Sequence, residues 1–223
     1  MVYPEALTLR IKDFQERTHI MRTDIYRFEK DEASVSQIHN EAHKIAAYNG
    51  LSHKQEMKLN LLSEELIEML PNLLHYGTGM FWIENKGSDY EVHVKVEPEN
   101  ILPTIDRDKV LAVSKSGVNA AAKGIMNKIR IAAEIMLANY AQTADSSAMI
   151  YSESPYTFYD MGMYQDPYGY SSAWSLAQYR NEAEGDTEAW DELEKSIIAN
   201  LADDVIVGII GKSVEITIKK KLA

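Results

Sequence analysis

The chain has 223 residues, of which 45% are hydrophobic and 26% charged, and its formal net charge is −11. That length suits one large domain with a sizeable core, and the acidic balance opposes binding to a phosphate backbone, which needs clustered Lys and Arg. Cysteine is absent, which excludes disulfides, thiolate metal sites and a cysteine nucleophile, and no apolar run approaches the roughly 18 residues of a membrane-spanning helix.

The first residues, MVYPEALTLR, lack a basic start followed by an apolar run. No secretory signal is expected, and the expected location is the cytoplasm. Between residues 6 and 28, the segments ALTLRI and TDIYRF favour strands by alternation and β-branched content. From 33 to 48, apolar residues at Val35, Ile38, Ala42, Ile45 and Ala46 follow helical spacing, and Gly50 offers a left-handed stop. Ser52 and Gln55 predict a capping box for a second helix that runs to about His75, with Pro71 near its end.

The next segment, MFWIENKGSDYEVHVKVEPEN, predicts a hairpin turning at NKGS. In its second strand Tyr90, Val92, Val94 and Val96 alternate with Glu91, His93, Lys95 and Glu97, which predicts one buried face and one wet face. A short helix is expected at 106 to 114 and a longer, alanine-rich one at 118 to 140, whose place as lid, core or dimer seam stays open. Residues 151 to 170, YSESPYTFYDMGMYQDPYGY, carry six tyrosines, Tyr151, Tyr156, Tyr159, Tyr164, Tyr168 and Tyr170. Long loops of this kind are often functional, and tyrosine gives a rigid apolar body with a polar tip. Packing of the tyrosines onto the body is the simpler account; a protein-partner surface is the alternative. Helices are expected near 172 to 182 and 187 to 201, and DDVIVGIIGKSVEITIKKKL predicts a closing hairpin around Gly211 and Lys212.

The second helix carries LLSEELIEML at residues 61 to 70. Its periodicity gathers Leu59, Leu62, Leu66, Met69, Leu70 and Leu73 on one side and Glu64, Glu68, Asn72 and His75 on another. A solvated face accounts for these glutamates, because like charges four residues apart cost only a few tenths of a kcal/mol. Elsewhere, His39 and His43 stand four apart in HNEAH, but the metalloprotease helix needs His-Glu-x-x-His and no third ligand is evident. Gly211-Lys212-Ser213 mimics only the end of a phosphate loop, inside an expected hairpin.

Two blocks carry a family resemblance: SEELIEMLPNL with the strand pair at 79 to 97, and residues 193 to 218 with their acidic ADDV exit and closing hairpin. Together with the N-terminal helix they resemble the GHKL ATPase superfamily, in particular the histidine-kinase-like ATP-binding domains of bacterial anti-sigma serine kinases. The resemblance implies an α+β fold: a two-layer sandwich with a mixed, mainly antiparallel sheet, helices on one face, and a helical, tyrosine-rich insertion. It implies a single domain over 1–223, with the lid-like insertion at about 104–186. It places Glu64 as the catalytic base, Glu68 as the Mg²⁺ ligand where the family has Asn, and Asn72, Glu97 and Asn100 as nucleotide contacts.

Three departures weigh against phosphate chemistry. Glu68 adds negative charge beside a polyphosphate; the stretch Glu97-Pro98-Glu99-Asn100-Ile101 has no glycine where the family has Asp-x-Gly-x-Gly; and TEAWDELEKS has none where amides should cradle phosphates. The expectation is therefore a non-catalytic regulatory or partner-binding protein without a cofactor. The alternative is an ATP- and Mg²⁺-dependent serine kinase or ATPase with divergent motifs. A protein partner is expected through the tyrosines; nucleic acid and membrane are not, and pairing into a homodimer is compatible with the family.

Overall fold

A computed structural model describes residues 20–29, 34–99, 125, 128–134, 136–137, 163–164, 173–184, 187–194, 196–210 and 212–222. The expected strand at 6 to 11, the helix at 106 to 114, Asn100, Tyr151, Tyr156, Tyr159, Tyr168 and Tyr170 lie outside the described residues.

Two short strands, β1 (Ile20–Arg22) and β2 (Tyr26–Glu29), precede helix α1 (Val35–Tyr48). At its end Gly50 takes a φ of +64°, the left-handed geometry glycine adopts without a steric penalty. Helix α2 (His53–Leu73) starts where the sequence places it, with Gln55 Oε1 accepting from the backbone N–H of Ser52 at 2.8 Å. Strand β3 (Tyr76–Lys86) follows and turns into β4 (Asp89–Pro98) through Gly87, also at φ +64°. β3 thus begins earlier than its first apolar run, taking in Gly77 and Gly79.

Gly79 is needed because it pairs with Phe28 of β2, whose ring lies where a Cβ would stand. The ring packs edge-on against Tyr76 at 6.2 Å. Further along the chain are the two-residue strand β5 (Met163–Tyr164), β6 (Ala173–Ser175), and the helices α3 (Leu176–Glu182), α4 (Thr187–Glu194) and α5 (Ile197–Leu201). The chain closes with the expected hairpin, β7 (Asp204–Ile210) and β8 (Ser213–Lys221). Strand β6 was not expected: a three-residue strand is too short to show alternation.

The strands form one sheet in the order β1-β3-β4-β8-β7-β6-β5, with β2 beside β1 on the same edge of β3. Every described pairing is antiparallel. The chain is an α+β fold, and α1 and α2 pack on one sheet face. Ile38, Ala42 and Ile45 of α1 and Leu59, Leu62, Leu66 and Leu70 of α2 are buried with Val92, Val94, Val96, Val207, Val214, Ile216 and Ile218 in one core. Each of the Val, Leu and Ile side chains contributes about 1.5–3 kcal/mol relative to exposure. Residues 128–134 are helical, and Ile129, Ile131, Ala132 and Ala133 join the same core.

The ends of α5 and β7 are tied by polar contacts. Arg180 of α3 donates to the carbonyls of Ala199, Ala202 and Asp203, satisfying groups that the C-terminus of α5 leaves open. Asp204 accepts from Ser175 Oγ at 3.0 Å and from the amide of Ala177 at 2.9 Å, fastening β6 and α3 to β7. The acidic ADDV exit is therefore used structurally. No helix among the described residues is long and apolar enough to cross a membrane.

Candidate functional site

Strand alternation fixes what the other sheet face presents. With Val92, Val94 and Val96 turned to the helices, Glu91, His93, Lys95 and Glu97 turn away from them. The register then lays out rows across the sheet. One runs Arg22, Glu84, Glu91, Lys219, Asp204 over β1, β3, β4, β8 and β7. The next runs Trp82, His93, Thr217, Ile206, Ser175.

The expected wet face holds at Glu97, which is exposed, and is corrected at His93. His93 is 7% exposed, and its neighbours Thr217 and Glu215 are buried as well. The cause is position in the sheet: β4 is an interior strand, so Trp82 on β3 and Thr217 on β8 flank the imidazole on both sides. Trp82 stacks on it face to face, with centroids 4.8 Å and planes 3° apart. Nδ1 lies 3.2 Å from Glu215 Oε1 and 3.0 Å from Thr217 Oγ1. Nε2 is buried with no hydrogen-bond partner among the described residues; Glu91 Oε2, at 3.5 Å, approaches it only as an ion pair.

Burial opposes the charged imidazolium, but the carboxylates of Glu215 and Glu91 outweigh it and raise the His93 pKa. The contact with His93 in turn lowers that of Glu91, against its burial and with help from Lys219. Lys219 Nζ stands 3.5 Å from Glu91 Oε1, and Trp82 Nε1 donates to Glu84 Oε1 at 3.0 Å. One donor atom each from Glu84, Glu91 and His93 falls within 4.8 Å of the others. These groups line a cavity of about 660 Å³ together with Asp204, Thr217 and Lys219.

The residues singled out from sequence lie mainly elsewhere. Glu64 and Glu68 share one face of α2, as their spacing predicts; Glu68 is exposed, and Glu64 Oε2 is 3.5 Å from Nε2 of His39 on α1. Between them, Glu65 has a raised pKa, from burial first and then from the charges of Glu68 and Glu64. Asn72 occupies the last turn of α2. Glu97 is brought to the far side of the sheet from α2, beside a smaller cavity of about 400 Å³ with Lys95 and Arg27. The Glu64 carboxylate and Glu97 are therefore not brought together. His39 and His43 do not converge either, because His43 Nδ1 meets Glu56 Oε1 at 2.7 Å while His39 faces Glu64.

The missed residues are Glu84, His93, Glu215 and Thr217. The signal for them was a histidine and a threonine among the outward positions of apolar interior strands. Among known proteins, no family model, curated protein or solved structure matches the chain.

Proposed function

We propose that this chain is a non-catalytic regulatory or partner-binding protein on a degenerate histidine-kinase-like body. One observation carries the reading: the polar groups that face a sizeable cavity lie on the sheet surface away from α2, while Glu64, the base of the nucleotide-handling alternative, is paired with His39 at the seam of α1 and α2. The antiparallel sheet with α1 and α2 on one face supports the architecture that the resemblance implies. The absence of glycine in EPENI and TEAWDELEKS supports loss of phosphate binding. The tyrosine-rich segment 151–170 is the proposed surface for a protein partner.

Thermal unfolding with Mg-ATP and Mg-ADP tests this reading. Nucleotide that binds the folded state raises the melting temperature by mass action. No shift is expected at millimolar nucleotide. A saturable rise would replace the reading with a kinase or ATPase.

A further inference from the structure

We infer that Glu84, Glu91 and His93 form a binding site for a divalent first-row transition ion of the Zn²⁺ or Mn²⁺ class, with open coordination positions toward the cavity. This goes beyond the proposed function and does not depend on it.

The first observation is the register. Glu84 and Glu91 stand directly opposite one another on β3 and β4. Like charges in that relationship destabilise a sheet unless a cation lies between them. Arg22 approaches Glu84 only at 4.0 Å, on Oε1, and its side chain is half exposed. Lys219 approaches Glu91 on Oε1, while Oε2 of that carboxylate faces His93.

The second observation is independent. His93 is more than nine-tenths buried, its Nε2 has no hydrogen-bond partner among the described residues, and that atom is directed at the carboxylate pair. Glu215 accepts from Nδ1–H, which leaves Nε2 as the ring nitrogen that faces Glu91. A metal ion that displaces the proton between Nε2 and Glu91 takes one bond from each.

The surroundings match what metal sites require. A ligating histidine usually gives its other ring N–H to a carboxylate, which fixes the tautomer and raises basicity, as Glu215 does here. Trp82 holds His93 by stacking and Glu84 by its indole N–H. One imidazole nitrogen and two carboxylate oxygens suit Zn²⁺ or Mn²⁺ better than Ca²⁺ or Mg²⁺, which favour oxygen alone. Donor atoms within 4.8 Å of one another close in by rotation of the two glutamates to reach bonds of about 2.1 Å. Three protein ligands leave at least one position free, and the side on which it opens is a cavity of about 660 Å³.

The test uses the full chain, stripped of metal with a chelator and titrated with ZnCl₂, MnCl₂ and MgCl₂ by calorimetry. Saturable binding of one Zn²⁺ or Mn²⁺ per chain is expected, with Mg²⁺ far weaker. Glu84→Gln and Glu91→Gln keep shape and hydrogen bonding, so both should fold and each should weaken binding by about tenfold or more. His93→Gln should abolish it. Co²⁺ gives a second readout: visible absorption bands in the wild type that disappear in Glu91→Gln. Stoichiometric binding that both glutamine variants retain, or no binding of Zn²⁺ and Mn²⁺ at millimolar metal, overturns the inference.

Discussion

The imidazole of His93 lies flat against the indole of Trp82, and the same indole donates its N–H to Glu84. One side chain thus positions two neighbours on two strands. Trp82→Leu loses both the stack and the donor, and the expected cost is about 1–2 kcal/mol. Trp82→Phe keeps the stack and should lose less than half as much. Urea unfolding of the three proteins measures the difference.

Gly79 and Phe28 make a paired prediction. Gly79→Ala drives a methyl group into the Phe28 ring and should lower stability by about 1–3 kcal/mol. Adding Phe28→Leu to that variant relieves the clash, so the double variant should be less destabilised than the sum of the two single changes. A double-mutant cycle on unfolding free energies shows whether the two sites couple.

Along α2, Leu66 is fully buried and Met57 is 57% exposed. Leu66→Ala should cost about 2–5 kcal/mol through lost burial and a residual cavity. Met57→Ala should stay within about 0.5 kcal/mol of wild type. Equal effects in thermal denaturation would mean that α2 does not present this face to the sheet.

Arg180 fastens α3 to the carbonyls that end α5. Arg180→Ala leaves those acceptors to water and should destabilise the protein by about 1–2 kcal/mol. Hydrogen exchange should accelerate at the end of α5 and the start of β7 before it does in β3 or β4.

Asp203 supplies a pH prediction. Its carboxylate accepts from Lys220 Nζ at 2.6 Å. Burial raises its pKa, but Lys220 and the backbone N–H of Lys221 outweigh that, assisted by the charge of Arg180, so the folded-state value lies below the ordinary one. The unfolded chain then takes up a proton first as pH falls. The stabilisation is complete above the ordinary aspartate value of about 3.9 and is lost as pH drops through the lower folded value. Asp203→Asn should be less stable than wild type at neutral pH, with the gap closing through that acid window. A gap independent of pH in denaturant titrations refutes the assignment.

Long periodic segments made the fold legible. α1, α2 and the β3–β4 and β7–β8 hairpins follow from helical spacing, strict alternation and turn glycines, all of which are local signals. β1, β5 and β6 are too short to carry a period, and their place depends on partners far away in sequence. The metal-competent cluster was hidden for the same reason. Glu84 and Glu91 are visible as neighbours once the hairpin register is known, but Glu215 and Thr217 meet His93 only because β8 lies beside β4, more than 100 residues on. Glu64 drew notice by its spacing on α2, yet helix periodicity reports which residues share a face and says nothing of what lies opposite.

Strand β8 occupies the middle of the sheet although it is translated after every other strand described. A chain exposed only as far as Lys212 therefore holds two sheet fragments, β1 to β4 and β5 to β7, each with a raw inner border. Only the arrival of Ser213–Lys221 joins them. Nascent chains halted just short of that segment should be strong clients for holdase chaperones, and completion should release them in a single cooperative step.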